Sequence, residues 1–406
     1  MLSPGSDVQL RKSRASGVSS ASVREHNALS VIAILREHGP ASRADLVRRS
    51  GLTRPTVDAI VESLLADAVV AHTGNQTVPP GAKGRPGQLL GFNAGRNTAV
   101  VCRSRRDRLE IRLTDALGYT LAEVAAPIDH TPEAFFREAA EHISHLVSTV
   151  PGAGPVAAAS VLIPGLINRR TGASISHPPW GWADVPVQAA LSKHLQIPVT
   201  VLNHASAAVV GEVAHGAGYG HEDVLMVLLD FGVGVGVLTG GALLRGADGA
   251  VGELGHSRVE RPGRLCVCGR SGCLETVASG RFIQEEAVRI GGESSAGRTL
   301  AELSALSDRR VDLMLAGAAD RLGLAVSGLV NVLNPSIVIL GGTEFAAGAE
   351  RFFDSFRRSV QENSLPANAA NLEFALAGKD SEWSGATHAA LEHMPARLRP
   401  RQSFGI

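Results

Sequence analysis

The chain has 406 residues, and 44% of them are hydrophobic, enough for two or three domains with cores of their own. Its formal net charge is zero and it holds only four cysteines, which argues against a secreted disulfide scaffold. No apolar run reaches the roughly 18 residues of a membrane span, and the Ser-, Gly- and Arg-rich start lacks the apolar core of a signal peptide. The expected compartment is therefore cytoplasmic, with no membrane partner.

Residues 1–22 read as a disordered tail. From Val23 to Glu37, Ala28, Val31, Ile32 and Leu35 recur at helical spacing, and Gly39-Pro40 ends the segment. Ser42-Arg43-Ala44-Asp45 is a capping-box pattern that opens a short helix to about Arg49. Ser50-Gly51-Leu52 makes a tight turn, and Thr53 stands where it caps the next helix, with Pro55 in its first turn. Val57, Ile60, Val61 and Leu64 form one apolar stripe. Two short strand candidates, Val69–Ala71 and Leu89–Phe92, flank the Pro/Gly-rich loop "HTGNQTVPPGAKGRPGQ". Together these make a winged helix-turn-helix over residues 23–92.

Residues 1–90 hold 11 Lys and Arg against 7 Asp and Glu, and the remainder 28 against 32, so a weakly basic front end precedes an acidic body. If the front end binds DNA, Thr53 to Ala66 is the recognition helix, with Thr53, Arg54, Thr56 and Asp58 facing base edges. Lys83 and Arg85 of the wing enter the minor groove. The partner is a double-stranded operator, bound by a homodimer or a dimer of dimers. Helix-turn-helix geometry also serves protein contacts; the basic Gly-Arg-Pro wing favours DNA.

After Phe92 the pattern changes to strands alternating with helices, the signature of an α/β body. Strands are expected at Thr98–Cys102, Arg108–Leu113, Leu121–Ala125, Val156–Ile163, Val199–Leu202 and Val224–Leu229, with helices at Pro132–Thr149 and Ala205–Ala214. "DFGVGVGVLTGGALLRG" alternates glycines at 232, 234 and 236, which suits either a phosphate cradle or close backbone packing. "NPSIVILGG" is a strand and a turn, and residues 381–394 form a closing helix. Residues 396–406 read as a tail.

Cys266, Cys268 and Cys273 give C-x-C-x4-C, and His256 is the nearest candidate fourth ligand. Cys3His is a common tetrahedral set for structural zinc; three reduced, buried thiols are the other reading. Glu253 precedes His256 by three residues, and Glu275 follows the cysteines. Two carboxylates and an imidazole are suited to sugar hydroxyls.

"GELGHSRV…CVCGRSGCLE" resembles the signature of the ROK family (repressors, open reading frames and sugar kinases), which reads roughly GExGH and then CxCGxxGCxE. The resemblance runs from about Ala99 to Met394, and the winged helix in front matches the family's repressor branch. It implies an actin-like, two-lobed body of ribonuclease-H-like halves over residues 93–395, with a sugar site in the cleft. It further implies zinc on His256, Cys266, Cys268 and Cys273, and sugar contacts from Asn203, Glu253, His256 and Glu275. The family's kinases carry Asn-Asp-Ala where this chain has Asn203-His204-Ala205, the Asp being both general base and sugar contact, so His204 stands at a ligand position. They also carry an Asp-x-Gly-x-Thr phosphate loop where this chain reads "VVCRSRRDRLE", and Gly-Thr-Gly where it reads Asp230-Phe231-Gly232. Arg103, Arg105 and Arg106 suit either a bound phosphate or a solvated turn. The expectation is a DNA-binding regulator, a repressor of carbohydrate metabolism genes, with no catalytic residues and a degenerate kinase-like body that senses a sugar or sugar derivative. A body that binds a phosphosugar or a protein partner stays open, and the alternative is an ATP-dependent sugar kinase with an appended DNA-binding domain.

Overall fold

A computed structural model describes residues 20–76, 87–342, 349–400, 402–404 and 406, apart from the side chains of residues 20–22 and 396. Contacts divide the chain into two compact units, Met1–Asn93 and Ala94–Ile406.

The first unit comprises α1 (Ser20–His38), β1 (Ala41–Ser42), α2 (Arg43–Ser50), α3 (Arg54–Ala66), β2 (Val70–Asn75) and β3 (Gln88–Phe92). Helix α1 begins three residues inside the segment expected to be a tail. The capping box is present: Ser42 Oγ accepts from the Asp45 N–H, and the Asp45 carboxylate accepts from the Ser42 N–H at 3.2 Å. Gly51 ends α2 in the left-handed conformation, φ 68°, which glycine adopts without penalty. Thr53 precedes α3 but makes no side-chain cap; its hydroxyl meets that of Thr56 at 2.8 Å instead. The expected stripes are buried: Val31, Ile32 and Leu35 on α1, Val57, Ile60, Val61 and Leu64 on α3. The three strands form one antiparallel sheet, ordered β1-β3-β2. Lys83 and Arg85 lie outside the described residues.

The second unit opens with β4 (Thr98–Ser104), β5 (Arg108–Asp115), β6 (Thr120–Pro127), α4 (Pro132–Ser148), β7 (Val156–Leu162), β8 (Leu166–Ile167), β9 (Ser174–His177), β10 (Trp182–Val185), α5 (Val187–Leu195), β11 (Val199–Leu202) and α6 (His204–His215). It continues with β12 (Val224–Leu229), β13 (Val233–Thr239), β14 (Ala242–Leu243), α7 (Glu275–Ala278), α8 (Gly280–Gly291), α9 (Leu300–Ser304) and α10 (Arg309–Leu333). It closes with β15 (Ile337–Gly341), α11 (Glu350–Asn363), α12 (Pro366–Ala369), β16 (Glu373–Leu376) and α13 (Ser381–Glu392).

Two five-stranded sheets, β11-β7-β4-β5-β6 and β14-β13-β12-β15-β16, share one topology. In each, an antiparallel meander of three strands is extended by two parallel strands beside the first. This duplicated mixed sheet is the two-lobed α/β body that the sequence implies. The central strands β12 and β15 are buried along their whole length, which is why they read as unbroken apolar runs. Helices α6 and α13 pack together, and their apolar cluster, with Val209, Val210, Met226, Ile339 and Trp383, touches both sheets.

Helix α10 has the length and apolarity of a membrane span, contrary to the expectation that no segment does. Its stripe Val311, Leu315, Leu322, Val326 and Val330 lies in the core of the second lobe. The chain end is no loose tail either. Phe404 is fully buried; its N–H donates to Glu392 at 2.9 Å and its carbonyl accepts from the Leu243 N–H at 3.2 Å.

Candidate functional site

On α3 of the first unit, Arg54 extends into solvent with 78% of its side chain exposed. Thr53 is exposed as well, whereas Thr56 and Asp58 are half-buried. Asp58 pairs with Arg43 at 3.1 Å, and Arg43 reaches Glu62 at 2.6 Å, so these groups brace α2 against α3. Arg54 and Thr53 are thus the freer of the four proposed base-facing residues.

In the second unit, the segment after β14 doubles back along β13. Glu253 and His256 bracket one turn of 3-10 helix, which brings Glu253 Oε2 to 3.8 Å from His256 Nε2. The opposite ring edge turns to the cysteine loop, with His256 Nδ1 3.5 Å from Cys266 Sγ. That loop is a tight hairpin: Cys266 N–H donates to the Arg270 carbonyl at 2.7 Å, and Gly269 and Gly272 take φ near 80°. Cys268 and Cys273 sulfurs lie 3.7 Å apart, and one ligand atom from each of His256, Cys266, Cys268 and Cys273 falls within 4.8 Å of all the others.

These distances test the fit to a metal. Tetrahedral zinc with bonds of about 2.3 Å to sulfur and 2.0–2.1 Å to nitrogen places its ligands about 3.5–3.8 Å apart. Two of the pairs, His256–Cys266 at 3.5 Å and Cys268–Cys273 at 3.7 Å, match that spacing, the whole set lies within 4.8 Å, and its composition suits a metal ion. Burial works to raise the Cys268 thiol, but hydrogen bonds from Arg270 and the neighbouring cysteines outweigh it and bring its pKa to about 6. It is therefore ready to ligate as thiolate.

Glu275 opens α7. A side-chain carbon at Gly232 would come within 2.8 Å of its Oε2, and one at Gly255 within 3.3 Å, so both glycines make room for this carboxylate. Gly236 backs onto the Ala205 carbonyl of α6. The alternating glycines thus serve close packing of β13 against α6 and Glu275. Glu253 is raised above the ordinary carboxylate range by burial, with His256 opposing and Glu275 adding to the shift. Glu253, His256 and Glu275 accordingly form one acidic, half-buried group.

Asn203 is the N-cap of α6, its Oδ1 accepting from the Ser206 N–H at 2.8 Å. His204 follows as the first helical residue, and its Nδ1 lies 2.6 Å from Glu382 Oε1 on α13. Glu382 is almost fully buried, and its other oxygen accepts from Arg103 at 3.0 Å and Arg105 at 2.9 Å. Burial alone would raise the Glu382 pKa; His204, Arg105 and Arg103 prevail and hold it at about 2.

Arg103 and Arg105 therefore stand neither in a solvated turn nor free for phosphate. Arg103 is also bound to Glu110 at 2.8 Å, and Arg105 lies 3.6 Å from Asp230 of the second lobe. Beside them the exposed ring of Phe231 lies between Arg106 and Arg281, at 5.5 and 5.7 Å from its centroid. Sequence reasoning missed Glu382 and Glu110. The signal available was indirect: three arginines at one strand turn of an α/β body call for carboxylates elsewhere in the chain.

The pattern of the ROK family matches residues 105–392, more than two thirds of the chain. The chain belongs to the ROK family. Two relatives align over nearly all of it. The DNA-binding transcriptional repressor Mlc of Escherichia coli K12 is 26% identical over 374 residues, 86% of this chain and 88% of Mlc. The xylose repressor of Bacillus spizizenii is 24% identical over 375 residues, 91% of this chain and 96% of that protein. The glucokinase of Thermotoga maritima is 36% identical, but over 225 residues, 52% of this chain and 71% of the enzyme. Among solved structures, a ROK family transcriptional regulator homologous to Mlc superposes with a TM-score of 0.72 at 24% identity, covering 90% of this chain and 95% of its own.

Proposed function

We propose that this ROK protein is a sequence-specific transcriptional regulator, a repressor of carbohydrate metabolism genes, whose kinase-like body senses a sugar or sugar derivative. The observation that carries this reading is the extent of the matches. Alignments spanning both units lead to repressors, while those to glucokinases cover about half of the chain.

In this reading α3 lies in the major groove with Thr53, Arg54, Thr56 and Asp58 along its leading face. Lys83 and Arg85 of the wing reach the minor groove. A homodimer supplies one helix to each half-site of an operator. In the body, Asn203, His204, Glu253, His256 and Glu275 contact the effector. His256, Cys266, Cys268 and Cys273 hold a structural zinc ion, which fixes the loop bearing His256. His256 contributes Nδ1 to the metal and turns Nε2 toward Glu253 and the ligand.

The body does not phosphorylate its ligand. Phosphoryl transfer depends on groups that position and neutralise the phosphates. Here arginines bound to internal carboxylates stand at the first loop, Asp230-Phe231 at the second, and His204 at the position of the general base. A thermal-shift survey of purified protein against common sugars and their derivatives tests the sensor reading, because a ligand that binds only the folded state raises Tm. An ADP-release assay with the same sugars tests the kinase alternative.

A further inference from the structure

Both oxygens of the Glu382 carboxylate are engaged within the protein: Oε1 by His204 Nδ1 and Oε2 by Arg103 and Arg105. Glu382 is itself buried, at 5% exposure, and both of its oxygens have protein partners. The arginines are held in turn, Arg103 by Glu110 and by stacking 4.5 Å over the Trp383 ring, Arg105 by Asp230. Glu382 is thus an immovable acceptor, and it orients whatever donates to it. The partner it orients is an imidazole at the N-terminus of α6, beside the N-cap Asn203. Its Nε2 has no partner among the described residues.

Histidine tautomers are set by the bond that the other nitrogen makes. A carboxylate accepts only, so a neutral His204 must carry its proton on Nδ1, which leaves Nε2 as a bare acceptor. This arrangement, imidazole oriented by a buried carboxylate, is the one that readies a ring to take a hydrogen bond from a hydroxyl.

We propose that Glu382 is a positioning and specificity-determining residue of the effector cleft, fixing His204 as the Nδ1–H tautomer so that Nε2 accepts a hydrogen bond from a hydroxyl of a neutral sugar. The inference rests on the reading of the cleft as the effector site. It explains how a histidine serves at a place where a carboxylate acceptor stands in the family's kinases: Glu382 makes the ring an acceptor too. A ligand that lacks a hydroxyl at this point, or presents an acceptor there, is rejected because it leaves Nε2 unpaired or opposed.

The test is Glu382→Gln in the full-length protein. The amide oxygen stays with Arg103 and Arg105, which need an acceptor, so the amide NH2 faces His204 Nδ1. The ring must then accept at Nδ1 and move its proton to Nε2. Two-bond proton–nitrogen correlation spectra of the histidines, with His204 assigned by substitution, read the tautomer directly at a pH where imidazole is neutral. The wild type should show Nδ1–H and the variant Nε2–H. Titration calorimetry with glucose, xylose and N-acetylglucosamine gives the second readout. The sugar that binds wild type best should bind the variant about tenfold more weakly or worse, the loss of one buried hydrogen bond.

An Nε2–H ring in the wild type overturns the inference without any variant. So does a folded variant that binds that sugar as tightly as wild type, and both outcomes leave the cleft reading standing. Failure of every sugar and sugar derivative to bind the wild type overturns the cleft reading and this inference together.

Discussion

Arg105 lies 3.6 Å from Asp230, joining the β4–β5 turn of the first lobe to the end of β12 in the second. By resemblance, these are the two places where the family's kinases would hold nucleotide phosphates. Here they hold each other. Asp230 would repel a phosphate, and Arg105 is committed to Glu382 as well. Purified protein should therefore release no ADP above background with hexoses, pentoses or amino sugars, and ATP should leave its Tm unchanged. Turnover on the order of 1 s⁻¹, ordinary for an enzyme, would contradict this.

Metal analysis should give one zinc per chain. Cys268→Ser should lose the metal, because Cys268 is the thiol closest to its ligating form. Four protein ligands leave no open position, so the effect is on structure. The body should melt earlier, by about 2–4 °C for each kcal/mol of stability lost, and the response to effector should fail with it. A metal-free preparation with wild-type melting and response would refute the assignment.

The carboxyl of Glu382 is held at about 2 against an ordinary 4.5. A depressed folded-state pKa adds stability above the unfolded pKa and loses it as pH falls through the folded one. Its contribution, present above pH 4.5, should drain away as the pH falls from 4.5 to 2. Glu382→Gln should be less stable than wild type near neutrality, and the gap should narrow through that window. Urea unfolding of both proteins across acid pH measures it; a gap independent of pH would show that Glu382 is not held as a buried anion.

The operator should be a near-palindrome with A/T-containing flanks, its half-sites about one helical turn or a multiple apart. Arg54→Ala should cost about 1–3 kcal/mol of binding and relax one major-groove position. Arg85→Ala should relax the A/T preference at the wing. Binding to scrambled sequence as tight as to the operator, at matched salt, would argue against specific readout.

Much of this architecture was legible in the sequence, and the reasons are local. The stripes of α1 and α3 keep helical period, Ser42 and Asp45 sit at capping spacing, and β12 is one apolar run. The cluster of His256 with Cys266, Cys268 and Cys273, which could hold a metal ion, was legible because its residues crowd into one short stretch. Other features depend on distant pairs. Glu382 lies 279 residues from Arg103 and 178 from His204. Nothing near "SEWSGA" announces a buried anion, and nothing near "RSRR" says which carboxylates answer it. Asp58 reads as outward-facing from helical spacing alone, yet Arg43 on the preceding helix claims it. The terminal Phe404 looked like tail because burial of a lone aromatic leaves no periodicity.

Control of the DNA-binding unit by a ligand in the cleft is the core of the proposed function. Its most direct test is operator titration with and without the sugar that most raises Tm, in wild type and in Glu253→Ala. Coupling of this kind is typically about 1–3 kcal/mol, so the sugar should weaken wild-type operator binding by roughly 5–150-fold. Glu253→Ala should bind the operator as wild type does in the absence of sugar and show no change when sugar is added. An operator affinity that the sugar leaves untouched in wild type, or a full response in Glu253→Ala, would contradict the account.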